Sequence, residues 1–508
     1  MIDLKPRSRW SPPLRASILV LLACFITWPA TAEASDDPRF DIAIRHLKRA
    51  VTPQRDESHL ARLSSLRIMK DPEMERLFLR LLNHDAWQIQ VHAVLGLAEI
   101  SEDGNVMPWL VTQVRPEARS QILAIAMEQN RLDAKTIKEL TDWKDLEEAN
   151  RVALFAHSQS HDGNVSLQEV NQLTQAKDEK VAAAAWLLMT WLGDASGPAK
   201  INAMLKELPE TKQLDILLTL TMMIRRHEIS QAYPWLDQTI SELRQSERFP
   251  AAVTAGTGTL LALDPERGIR HWRKNFGEQP NRRRQIDAAL MLLHAGTSLP
   301  DMDQERIDVG DELVGSIVAA GNAVAENRGD APQRLIELAE LDHVRSTTLL
   351  PGVIETLPED QAKVVLDRFL DNLESDSFTE MDRVLAIEAT YRLLELDPEF
   401  LLKRLRNTPD DSPLQEVMLN GMLRYRTPGI LDAVSGIRRI GMSTTDALAL
   451  MLLARESQQL EDAEVRQLGL LASGGSLSNQ LQAQAAWLYL KHTDRLENAM
   501  IHLVPERP

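Results

Sequence analysis

The sequence predicts an all-α protein made of about fourteen stacked helical hairpins, on three observations. Apolar residues recur at helical spacing over nearly the whole chain. The same two-helix unit returns at steps of 29 to 39 residues. Aromatics make up only 5% of the chain, and Leu, Ala, Glu, Arg and Gln dominate a composition that favours helix over strand. A chain of 508 residues is too long for one compact core, so the units must share their burial.

Asp71 to Glu102 shows the unit most clearly. Asp71 suits an N-cap, Pro72 the first helical position, and Glu73 the positive end of the helix dipole. Met74, Leu77, Phe78, Leu81 and Leu82 then form one apolar stripe. Asn83-His84-Asp85 breaks the run. The second helix carries Ile89, Ala93, Leu97 and Ile100 on one side, and Val91, Val94, Leu95 and Ala98 on others. A helix apolar on several sides needs cover on several sides, which a stack of hairpins supplies and a lone hairpin does not.

Followed along the chain, this second helix is expected to start near residues 57, 87, 116, 146, 178, 210, 249, 281, 311, 344, 378, 412, 444 and 477. The longest step marks an extended hairpin around Ser241 to Pro250, and an irregular loop is expected from Gly296 to Asp308. Self-similar turns support the register. Asp-Pro-Glu opens a first helix at Asp71, Asp264 and Asp397, and Asp-Gly-Asn-Val follows a second helix at Asp103 and Asp162. Stacking in this order makes an α-solenoid, a curved superhelix with the second helices along its concave surface. Its ends are expected to be capped by the atypical units Arg39 to Val51 and Asp494 to Val504. The expected divisions are a signal peptide at 1–32, N-terminal repeats at 38–240, irregular middle repeats at 241–310, and C-terminal repeats with a cap at 311–508.

The run from Asp85 to Ile100, DAWQIQVHAVLGLAEI, resembles the second helix of a HEAT-like repeat of the short bacterial type. Asp178-Glu179-Lys180-Val181, followed by Ala183-Ala184-Ala185 and Leu192-Gly193-Asp194, resembles it again. Later units approach the period of tetratricopeptide repeats but lack their Trp/Leu-Gly/Tyr signature. The resemblance implies an armadillo-like helical scaffold that binds other macromolecules and catalyses nothing.

The N-terminus reads as an export signal. Lys5, Arg7, Arg9 and Arg15 precede an apolar run from Ala16 to Trp28, and A-x-A sites end at Ala32 and Ala34. The only cysteine, Cys24, lies in that run after Leu21-Leu22-Ala23, so a lipid anchor at Cys24 is the alternative to its removal. Cleavage after Ala32 leaves a chain without disulfides, thiolate zinc sites or a cysteine nucleophile. The expected location is the periplasm or cell envelope. The net charge of −17 repels nucleic acid and anionic lipid, so nucleic acid is not an expected partner.

Against this acidic background stands one basic cluster: Arg267, Arg270, His271, Arg273, Lys274, Arg282, Arg283 and Arg284. It is the candidate binding site for an acidic group on a protein partner. His157 and His161 sit at the i, i+4 spacing that can hold a metal, but no third ligand is evident, so no metal site is expected. Ser158 to Glu169 mimics part of an EF-hand loop, with serines where calcium needs carboxylates. Trp109, Trp143, Trp186, Trp191, Trp235, Trp272 and Trp487 could stack on sugars, although tryptophan at helical spacing is more often core. Asp410-Asp411 reads as a turn, and Gly256-Thr257-Gly258 as a close-packing site. H-E-x-x-H, G-x-S-x-G, phosphate-loop and G-x-G-x-x-G patterns are missing, so no catalytic residue or cofactor is assigned. The expected function is an exported scaffold for protein–protein interaction. The alternatives are a carbohydrate or peptidoglycan-binding module and an enzyme of the HEAT-like lyase kind.

Overall fold

A computed structural model describes residues 37–101, 106–161, 163–276, 281–342, 350–375, 379–409, 412–425, 427–435, 443–475 and 477–503. The expected signal peptide with Cys24, the turns at 103–105 and 410–411, Asp162 and the second-helix start near 344 lie outside these residues. Among the described residues all regular structure is helical, with no strand. No helix among them is long and apolar enough to cross a membrane.

Second helices begin at Ser58, Trp87, Pro116, Glu148, Glu179, Glu210, Pro250, Arg282, Glu312, Glu380, Pro413, Thr444 and Asn479, each within two residues of its expected start. Caps explain much of this agreement. The side chains of Asp178, Asn281, Asp311, Ser412 and Ser478 each accept a backbone N–H of the second helix they precede. Thr379–Asp382 and Ser443–Asp446 form capping boxes. All three Asp-Pro-Glu turns use the Asp as a cap, with Asp71, Asp264 and Asp397 accepting from the N–H of Glu73, Arg267 and Phe400. The longest step comes from helix length: Glu210–His227 has 18 residues, and the following first helix runs from Tyr233 to Gln245. The irregular loop after Gly296 holds one short 3-10 turn, Asp301–Arg306.

The two helix types bury different amounts of their surface. A first helix such as Ala134–Asp142 buries one stripe, Thr136, Ile137 and Leu140. A second helix such as Thr444–Glu456 buries nine residues, because it packs on its own first helix and on a second helix at each side. Close approach needs small residues. A Cβ on Gly96 would lie 2.6–2.8 Å from ring atoms of Phe78, which is fully buried. Gly96→Ala is therefore expected to cost about 1–3 kcal/mol by overpacking, against the small gain that alanine normally brings to a helix. A denaturant midpoint equal to the parent's would contradict this.

The two ends of the row meet. Helix Ser58–Ile68 packs between Trp87–Ile100 and Asn479–His492. Phe40 stacks on Tyr489 at 5.1 Å, with the Arg495 guanidinium 5.3 Å from the Phe40 ring centre. Gln484 Nε2 donates to Ser65 O at 2.7 Å, and Ser65 Oγ donates to Gln480 O at 3.1 Å. Asp71, only 3% exposed, accepts from Trp487 Nε1 at 3.1 Å and pairs with Lys491 Nζ at 2.8 Å. On the first-helix side, Arg80 Nη1 donates to Met500 O at 2.9 Å and Arg76 pairs with Glu497 at 2.7 Å. One apolar core accordingly includes both Ala43 and Leu503.

This corrects the expectation of capped ends. Arg39 to Val51 and the described part of Asp494 to Val504 do not shield a terminal hairpin from water. Each end covers the apolar flank of the other, so neither needs a polar outer face.

Candidate functional site

The basic cluster is largely consumed by the chain's own carboxylates. Arg267, Arg270 and His271 converge on Asp237 of the preceding first helix, and Arg267 also pairs with Asp264. Arg244 can only donate, and its Nη1 lies 3.0 Å from His271 Nδ1. His271 Nε2 therefore carries the proton and donates it to Asp237 Oδ1 at 2.6 Å. Burial holds the His271 pKa below its ordinary value despite that carboxylate. Arg273 Nε reaches both oxygens of Asp303, at 2.8 and 3.0 Å, and Arg306 approaches the same carboxylate, which is 1% exposed. Arg282 pairs with Asp311 at 2.7 Å. These pairs tie one hairpin to the next. Lys274, Arg283 and Arg284 are exposed and form no ion pair among the described residues.

Arg283 and Arg284 stand on the first turn of helix Arg282–His294. They are one helical turn before Asp287 and in line with Leu290, Met291 and His294. That stripe leads into a cleft of about 570 Å³ lined by Arg225, Thr254, Ala255, Gly258, Met291 and His294 among others. A second, more apolar cleft of about 360 Å³ opens between helices Glu148–Ser160, Glu179–Trp191 and Glu210–His227, lined by Val152, Ala153, Ala156, Met222, Met223 and Arg226 among others. Both volumes lie in the range of ordinary ligand clefts.

The two clefts flank the long helix Glu210–His227, on the face that second helices present. Met222 is 67% exposed there. Arg225 and Arg226 are exposed and meet no carboxylate or carbonyl among the described residues. A Cβ on Gly258 would be 4.0 Å from Arg225 Nη1 and Met291 Cγ, so this glycine leaves the floor of its cleft open. Gly256, two residues earlier and on the opposite side of the helix, is close-packed: a Cβ there would lie 2.7 Å from Ile240 Cδ1.

The imidazoles beside the clefts are held neutral. Burial, Arg226, His157 and His161 push the His227 pKa down to about 4. Burial and Arg225 lower that of His294. His92, elsewhere in the core, is likewise pushed to about 4 by burial, Arg67 and His59. A histidine whose folded pKa lies below its unfolded value of about 6.5 binds its proton better when unfolded. Its contribution to stability is therefore complete above pH 6.5 and is lost as pH falls towards 4. Urea midpoints are expected to drop across that window, and a His92→Gln, His227→Gln double variant to show a shallower drop. An equal slope in parent and variant would show that these imidazoles carry none of the pH dependence.

The remaining sequence candidates are placed as follows. The His157 and His161 rings lie 4.4 Å apart, and His161 Nδ1 is 2.8 Å from His157 O. No group of three or more His, Cys, Asp or Glu among the described residues is arranged to hold a metal. Glu169 turns to its capping partner Ser166. Trp235, Trp272 and Trp487 are buried and donate to Asn202, Ala288 O and Asp71. Trp143, Trp186 and Trp191 are partly buried against Arg119, Lys200 and His227. Trp109 is the one of the seven that is broadly exposed, at 53%.

Met222, Met223, Arg225 and Arg226 were not singled out from the sequence. The signal was present in the longest repeat step, which lengthens this helix beyond its neighbours. No family model, curated protein or solved structure matches the chain.

Proposed function

We propose that the chain is a non-catalytic binding scaffold, exported to the cell envelope, whose hairpins form a HEAT-like α-solenoid with joined ends. Its partner is a protein. Its docking surface is the second-helix face between Glu148–Ser160 and Arg282–His294. One observation carries this reading: two apolar clefts share a helix that presents an exposed methionine and two arginines with no ion pair among the described residues, in a chain of net charge −17. Apolar clefts rimmed by exposed charge have the composition of a docking surface, an apolar centre with a polar edge. Arg283 and Arg284, which like Lys274 form no ion pair among the described residues, extend the same face. The basic and apolar N-terminal segment supports an envelope location for that partner, with a lipid at Cys24 as the anchor in the form that keeps it.

Photo-crosslinking in the native envelope tests this reading. A benzophenone side chain at position 222 is expected to yield discrete protein adducts, and one at Leu470, exposed on a first helix, is not. Adducts at 470 alone, or at neither position, would remove the second-helix face as the docking surface.

A further inference from the structure

Resting on the docking face proposed above, we infer that the segment it receives is an extended peptide whose apolar side chains alternate with carboxylates. The charge on this face is the first argument. Helices Glu210–His227 and Arg282–His294 expose Arg225, Arg226, Arg283 and Arg284, none in an ion pair among the described residues, against one carboxylate likewise unpaired among them, Asp287. The other charges beside the clefts are matched: Lys180 meets Asp215 at 2.6 Å, and Asp178 caps the helix that follows it. His227 and His294 add no charge near neutral pH. The face is thus locally cationic in a chain of net charge −17, and guanidinium groups favour carboxylates through paired N–H donors.

The shape of the face is the second argument. Two separate open clefts, divided by the ridge of Met222 and Arg225, suit a chain with discrete side chains better than one continuous acyl tail. The clefts are centred about two second-helix layers apart, on the order of 18–20 Å at ordinary packing distances. An extended backbone crosses that gap in about six residues. The occupant therefore places one apolar side chain in each cleft, about six residues apart, with Asp or Glu between or beside them.

Selection of phage-displayed random peptides about twelve residues long, on the full chain, tests the inference. Enriched sequences are expected to carry that spacing and a negative charge. A fluorescein-labelled representative should lose about tenfold or more in affinity to the Arg225→Glu, Arg226→Glu double variant. It should lose as much to Gly258→Leu, which fills one cleft floor from a position where an added Cβ meets nothing closer than 4.0 Å. It should be indifferent to Lys206→Glu on a first helix. Circular dichroism and elution volume confirm that each variant folds. Enriched peptides without carboxylates that are still excluded by Gly258→Leu would overturn the acidic chemistry and leave the docking face standing. Peptides indifferent to every variant on this face would overturn both. No enrichment overturns the inference outright, and arginine-dependent binding of oleate or phosphatidylglycerol vesicles in its place would assign the face to lipid.

Discussion

Replacing Trp487 by alanine is expected to loosen both ends of the chain together. The side chain is fully buried, and its Nε1 donates to Asp71, more than four hundred residues earlier in the sequence. Removing a buried indole costs about 3–5 kcal/mol through lost transfer energy and the cavity left behind. Asp71 also loses one of the donors that make its burial tolerable, leaving Lys491 and the backbone N–H of Glu73. In an open row of hairpins that cost would stay with the last units, because each hairpin touches only its neighbours. Here the last second helix is the neighbour of the first. Hydrogen exchange is therefore expected to quicken in peptides covering 58–74 as well as in those covering 479–503. Acceleration confined to 479–503 would show that the ends do not support each other in solution. Exchange is the right measurement because long repeat arrays need not unfold in a single step.

The Glu99→Ala variant is expected to be the most damaging charge deletion. Glu99 is 6% exposed and lies 3.0 Å from Arg131 and 3.4 Å from Arg67, which is itself 14% exposed. The three side chains bind successive units together: Arg67 ends the Ser58–Ile68 helix, Glu99 ends Trp87–Ile100, and Arg131 follows Pro116–Glu128. Truncating the carboxylate leaves two guanidinium groups close together in a poorly solvated place. Removing one partner of a buried ion set typically costs about 3–5 kcal/mol. Restoring the apolar balance should recover part of it, so Glu99→Leu combined with Arg67→Met is expected to be more stable than Glu99→Ala. If Glu99→Ala unfolds at the parent's urea concentration, the triad contributes no net stability. The exposed pair Arg76–Glu497, by contrast, should tolerate Arg76→Ala with a loss of less than about 1 kcal/mol, since both side chains stand mostly in water.

The basic cluster shows how far residue types alone can lead. Seven cations and a histidine close together in an acidic chain suggest a site for an acidic partner, and five of these eight side chains instead meet Asp237, Asp264, Asp303 and Asp311. All but one of these contacts reach about 30 residues along the chain, one repeat away. Pairing at that distance depends on how neighbouring hairpins rotate against each other, which side-chain spacing within one helix does not encode. Conversely, Arg225 and Arg226 form an unremarkable dipeptide at a helix C-terminus, where cations are ordinary. Only their position between two clefts marks them out. The Asp-Pro-Glu turns were legible for the opposite reason: a cap is decided within four residues.

By itself the sequence determined the helices, their order, and which of each pair would be buried on several sides. Those properties follow from local spacing, caps and the repeat period, all of which act over one or two turns. The tertiary structure alone decided that the row returns to its start, that Trp487 and Asp71 meet in its core, and which arginines stay unmatched. Whether the two ends face water or each other is decided by side-chain packing between elements more than four hundred residues apart, which no local pattern encodes.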